Sequence, residues 1–296
     1  MKKAALRRII VWSVVSVLLA ATLIVGIGTS SLLKGSINGL RLGGISTLAD
    51  REDYTEGGKS FDAAEIKSIE INWVDGSVNV LLTNDKSVSI SEDGGDSDDK
   101  LCWKLGEDGT LHIEPTKRTF NLFALGSQKK DLTLKLPKSL NLDKLRISTV
   151  SAPVKTESES GASPELDIRK LEVETTSGDV QLLFGSCDSA DVTTASGRQE
   201  ITGGSLREAE LGCVSGEISV SAELGKSLDV ETVSGAVKIN AVGAKGFTVS
   251  FDSVSGKLNT DLEGKFDDDE FIFGDGSVDI EVKTVSGSTE ITANGK

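Results

Sequence analysis

Ser-Gly recurs at an almost constant spacing through the C-terminal half of the chain, always between runs that alternate apolar and polar side chains. The glycines are Gly178, Gly197, Gly216, Gly235, Gly256 and Gly287, with a worn copy at Gly276 in Phe273-Gly274-Asp275-Gly276-Ser277. Their separations are 19, 19, 19, 21, 20 and 11 residues. A fixed period near 20 marks a repeat architecture, in which each unit buries its apolar face against its neighbours.

Columns appear when each glycine is set to zero. Five residues earlier stand Ile147, Val173, Val192, Leu211, Val230, Phe251, Phe271 and Val282. Seven earlier stand Leu145, Leu171, Ala190, Ala209, Leu228, Val249, Asp269 and Ile280. Four later stand Leu182, Ile201, Val220, Ile239, Thr260, Ile280 and Ile291. Polar residues such as Glu172, Glu174, Asp191, Thr193, Asp229 and Glu231 fall between them. Period-two alternation is a strand with one buried face. The minus-three column is Thr175, Thr194, Cys213, Thr232, Ser253 and Thr284, small residues suited to a tight bend. The spacing therefore predicts an all-β parallel solenoid, or β-helix, of about 20-residue coils. Gly178, Gly197, Gly216, Gly235, Gly256, Gly276 and Gly287 are its expected corners, taken with positive φ. An exposed Ser-Gly row could also form a binding strip.

Composition agrees with a thin stacked core. Aromatic residues make up 4% of the 296 residues, glycine is abundant at 32 and proline scarce at 4. The net charge is −14, and the four basic residues near the start leave −18 on residues 31–296. A body so acidic is repelled by nucleic acid and anionic lipid. The three cysteines form no metal-binding motif. Cys213 reads as a small buried rung residue. His112, the single histidine, lies in an alternating run and is expected to face solvent, so zinc and Ser-His-Asp chemistry lack ligands.

The N-terminus divides by composition. Residues 1–8 are basic, and Ile9 to Ile27 is a charge-free run long enough to cross a bilayer. Residues 9–28 are read as an uncleaved signal anchor, with the basic end cytoplasmic and the rest outside the cell membrane. A cleaved signal peptide is the rival reading. Residues 29–60 read as a flexible linker, and 61–296 as the extracytoplasmic solenoid. Its first coil is expected around Trp73-Val74-Asp75-Gly76-Ser77, which matches the surroundings of Gly276. The first regular copy is degenerate, Thr149-Val150-Ser151-Ala152, and a surface loop is expected over Lys155 to Pro164. The last gap of 11 suggests a shortened terminal cap. Sequential stacking would give about 11 or 12 coils, a rod roughly 55 Å long.

Two acidic clusters are weak calcium candidates: Asp93, Asp96, Asp98 and Asp99, and Asp267, Asp268, Asp269 and Glu270. Neither has the spacing of a calcium loop, and solvated loops are the simpler reading. No pair of acids stands out as catalytic. No cofactor is expected.

The Ser-Gly corners, the run Leu132-Thr133-Leu134-Lys135-Leu136-Pro137 before the first regular coil and the N-terminal apolar run together resemble the bacterial toast-rack domain. This adhesin-like family of unknown function includes LiaG-like membrane proteins. The resemblance covers about residues 60–296. It implies a β-solenoid outside the cytoplasmic membrane, often associated with envelope-stress systems, and carries no catalytic residues. The expected function is a non-enzymatic interaction or sensing module, anchored in the membrane, whose partner is an envelope protein or polysaccharide. A surface adhesin and a polysaccharide-active enzyme are the alternatives.

Overall fold

The computed structural model describes residues 53–94, 100–116, 129–159, 166–267 and 270–294. The expected membrane span, residues 29–52 of the linker, and Asp96, Asp98, Asp99, Asp268 and Asp269 lie outside them, whereas the end of the expected linker is taken up by the strands Thr55–Glu56 and Lys59–Asp62. The described residues are all-β apart from the single 3-10 turn Ala63–Glu65, and no helix among them is long and apolar enough to cross a membrane.

Each coil has a strand that approaches the corner and a strand that leaves it, and the two kinds stack into separate parallel ladders. In the approach ladder the spatial order is Thr110–Glu114, Ser68–Trp73, Asn141–Thr149 and Asp167–Thr175. The later halves of Val180–Thr194, Gln199–Cys213 and Ile218–Thr232 follow, then Asp279–Thr284 and Gly246–Ser253. The leaving ladder runs in the same order, from Lys130–Pro137 through Gly76–Thr83 and Val154–Ser158 to Val237–Ala241, Thr289–Thr292 and Leu258–Thr260. The three 15-residue strands pass through both ladders and join all 21 strands into one sheet.

The described stack therefore has nine parallel rungs, fewer than the 11 or 12 expected, because antiparallel strands and connections use the remaining residues. Nor does it follow chain order. The first coil, Ser68–Thr83, is sandwiched between the coils that hold Thr110–Pro137 and Asn141–Ser158. The last coil, Asp279–Thr292, is not a terminal cap: it fills the slot between the coils at Ile218–Ala241 and Gly246–Thr260. Phe271, which the period placed in a rung column, lies instead on the antiparallel strand Glu270–Gly274 opposite Val249. The stretch expected as a loop after Val154 is strand as far as Ser158, and residues 160–165 lie outside the described set.

The core is a set of apolar columns in register. Ile113, Ile71, Ile147, Val173, Val192, Leu211, Val230 and Val282 are stacked neighbours, each at most 2% exposed. Burying each such side chain is worth about 1.5–3 kcal/mol. At the Thr110–Pro137 end both ladders are closed by antiparallel strands, Cys102–Leu105 on one and Ser87–Gly94 on the other. Phe61 meets Trp103 edge to face there, with ring centroids 4.8 Å apart.

The corners work differently from the expectation. None of Gly178, Gly197, Gly216, Gly235, Gly256 or Gly287 has positive φ. Glycine is needed because the carbonyl of one corner points at the next: a Cβ on Gly197 would lie 1.9 Å from the oxygen of Gly178, and one on Gly287 would lie 2.0 Å from that of Gly235. Gly276 is not part of this ladder; it lies in a turn with φ +66°. The corner serine amides form a second ladder, in which Ser177 donates to Val150, Ser196 to Thr176, Ser215 to Ala195 and Ser234 to Val214, at 3.0–3.1 Å. The minus-three hydroxyl completes the corner. Thr175, Thr232 and Thr284 Oγ1 accept from the amides of Gly178, Gly235 and Gly287 at 3.0, 3.0 and 2.8 Å.

Cys213 occupies the same buried place with a weaker acceptor, and burial pushes its thiol pKa up. Cys213→Thr should restore the hydroxyl cap and raise stability by about 0.5–1 kcal/mol, read as a higher thermal midpoint. An unchanged or lower midpoint would show that the sulfur packs better than the hydroxyl bonds.

Candidate interaction surface

The alternation that buries one column must display the next. Stacking at about 4.8 Å places equivalent outward side chains side by side. On the approach ladder the minus-six column reads, in spatial order, His112, Glu70, Arg146, Glu172, Asp191, Glu210, Asp229 and Glu281. Its first part is charge-balanced. His112 Nδ1 is 3.3 Å from Glu70, Lys144 reaches Glu70 and Glu172 at 3.5 and 3.0 Å, and Arg146 reaches Glu172 at 3.1 Å. The hydrogen bond with Glu70 raises the His112 pKa and lowers that of Glu70. Burial pushes Glu172 up, but hydrogen bonds from Lys170 and Lys144 outweigh it and leave the pKa lowered.

The second part is unbalanced. Glu172, Asp191, Glu210, Asp229 and Glu281 are five consecutive carboxylates on adjacent rungs. Lys283 pairs with Glu281 at 2.8 Å, whereas Asp191, Glu210 and Asp229 have no ion pair among the described residues. Like charges directly opposite on neighbouring strands repel. Burial, then the Glu172 charge, raises the pKa of Asp191; burial, then the Glu281 charge, raises that of Asp229.

A carboxyl whose folded pKa exceeds its unfolded value favours folding fully below the unfolded value, and that stability is lost as pH rises through the folded pKa. Asp191→Asn should therefore stabilise the fold at pH 7 by about 0.5 kcal/mol, the size of one cross-strand like-charge contact. The gain should vanish below about pH 4, where the unfolded carboxyl is protonated. Urea midpoints of both proteins across pH 3–8 measure this; a gain independent of pH would remove charge as its cause.

The remaining candidates are scattered. Asp93 ends the strand Ser87–Gly94, where its Oδ1 accepts from the Gly94 amide at 2.9 Å. Asp267 and Glu270 face each other across a hairpin at the opposite end of the stack. All three stand at exposed strand ends, and among the described residues no group of three His, Cys, Asp or Glu side chains converges on a metal-binding point. The corner serines are exposed, and the hydroxyls of Ser177, Ser255 and Ser286 point back to neighbouring carbonyls at 3.3–3.4 Å. The carboxylate row was readable in the minus-six column as Glu172, Asp191, Glu210 and Asp229, but its extension to Glu281 depends on the return of the last coil.

Residues 66–292 match the family model described as Toastrack DUF4097. No curated protein matches the sequence. Three crystal structures are remotely similar. A candidate cell adhesion protein from Clostridium sporogenes shares 14% identity, over 82% of this chain and 100% of its own, with a TM-score of 0.37. A candidate adhesin from Bacteroides fragilis shares 13%, over 79% and 95%, with a TM-score of 0.38. A candidate lipid binding protein from Parabacteroides distasonis shares 15%, over 79% and 95%, with a TM-score of 0.38.

Proposed function

The chain belongs to the Toastrack DUF4097 family, and from that premise we propose that it is a non-enzymatic interaction or sensing module of the bacterial cell envelope. The charge-free run Ile9 to Ile27 anchors it in the cytoplasmic membrane, and the stacked β body lies outside. The observation that carries this reading is the carboxylate row from Glu172 to Glu281. It is a flat, regularly spaced, charged surface, the kind of feature that recognises an extended partner rather than one that encloses a reacting group. Its partner is an envelope protein or polysaccharide that presents positive charge. A role in envelope stress would follow if binding at this surface reported on the state of the envelope.

Cell fractionation combined with surface labelling tests the reading. The expected result is full-length protein in the membrane fraction that antibody cannot reach on intact cells but does reach once the wall is removed. Labelling on intact cells would overturn it in favour of a surface adhesin. Recovery of the chain in the cytosol would overturn the anchor.

A further inference from the structure

The two ladders end unequally at the face formed by Gly246–Ser253 and Leu258–Thr260. The approach ladder continues into the antiparallel strands Glu270–Gly274 and Lys265–Asp267. The leaving ladder stops at Leu258–Thr260, which pairs with Thr289–Thr292 on one side and with no strand on the other among the described residues. Val254 and Phe266, the exposed large apolar side chains of the described residues at 44% and 75%, both lie at this end. The amide of Thr289 donates to the Lys257 carbonyl at 2.9 Å, so Lys257 and Asn259 direct their backbone groups into the stack. Strand alternation then turns the N–H and C=O of Leu258 and Thr260 outward, the unpaired edge that invites another strand.

The sequence across this edge is Gly256-Lys257-Leu258-Asn259-Thr260-Asp261. It is self-complementary about Asn259, with a cation two residues before it and an anion two residues after. We infer that this edge is a homodimer interface, in which two copies pair antiparallel about a twofold axis through Asn259. In that register Leu258 faces Thr260 of the second copy, and Thr260 faces Leu258. The outward backbone groups then form four hydrogen bonds. Lys257 opposes Asp261 of the second copy on both sides of the axis, with all four charges on the exposed face. Moving the axis to Leu258 would set Lys257 against Asn259 and leave Asp261 without a cation. The pairing is isologous and closes at two copies. It continues the leaving ladder from one molecule into the other, and Leu258, half-buried at the open edge, gains a neighbour.

Asn259 is a non-hydrogen-bonded position in this register, with Cα atoms of the two copies about 4.5 Å apart, within disulfide range. The native cysteines Cys102, Cys187 and Cys213 are all buried. Full-length Asn259→Cys in mild detergent, under gentle oxidation, should therefore become mostly covalent dimer. Glu290→Cys, on the same outward column one rung inside, should stay monomeric, because its two copies lie beyond the roughly 7 Å limit. Lys257→Asp should reduce dimer to background, and combining it with Asp261→Lys should restore it, with circular dichroism and the thermal midpoint confirming that each variant is folded. A wild-type chain that is monomeric by light scattering at tens of micromolar would overturn the inference. So would Asn259→Cys that fails to cross-link while folded, or that cross-links in cells to a different protein.

Discussion

Gly235→Ala is expected to destabilise the protein by at least about 4 kcal/mol, the range reserved for a disrupted core. A Cβ there would lie 1.8 Å from the Gly216 carbonyl oxygen and 2.9 Å from Thr232 Oγ1. The first obstacle is backbone and cannot rotate aside. Relief requires separating two rungs, which breaks the bond from the Ser234 amide to Val214 and loosens that from the Val233 amide to Cys213. Gly243→Ala is the contrast. Gly243 has φ +63°, but nothing lies within 4 Å of its would-be Cβ. Its cost should be about 1–2 kcal/mol, that of the backbone conformation alone. Denaturant midpoints of the two variants measure the difference. Equal losses would mean that conformation, not the approach of neighbouring corners, sets the glycine requirement.

Removing residues 276–296 should cost far more than one coil. The deleted segment contributes Ile280, Val282 and Ile291, each at most 1% exposed, and it covers Leu228, Val230 and Ile239 on one side and Val249 on the other. At about 1.5–3 kcal/mol per buried side chain the loss exceeds about 5 kcal/mol, comparable to the stability of a whole domain. The strands Gly246–Ser253 and Leu258–Thr260 lose their parallel neighbour and should unfold with it, although they precede the deletion. Amide exchange should show protection collapsing from residue 243 onward, where the Gly243 amide loses the Asn294 carbonyl. A sequentially stacked array would behave otherwise, with residues 246–260 still protected after the deletion, and that result would contradict the observed rung order.

Much of the architecture was legible because it depends on period and alternation. Val173, Val192, Leu211 and Val230 share a column in the sequence and share it in space. The minus-three threonines were visible too, although their work is hydrogen bonding to the corner amide as well as staying small. The partner of each rung was not legible. Every rung carries the same apolar columns, so Val230 is as compatible with Phe251 as with Val282, and only the structure shows Val282 beside both. Gly276 misled for a related reason: a turn glycine after a hairpin looks like a corner when both are followed by an alternating strand. The carboxylate row was half visible, since its members share a column but its length depends on which rungs touch.

The returning coil Asp279–Thr292 also ties closure of the fold to a segment made after its neighbours on both sides. During synthesis the coil at Gly246–Thr260 emerges before the segment that must sit between it and the body. Until residues 279–292 are released, a nascent chain can hold that coil only loosely, with an open seam of unpaired strand edges on either side. A message cut short anywhere before Asp279 therefore yields a product that proteases can recognise, and only a chain that includes Asp279–Thr292 can close.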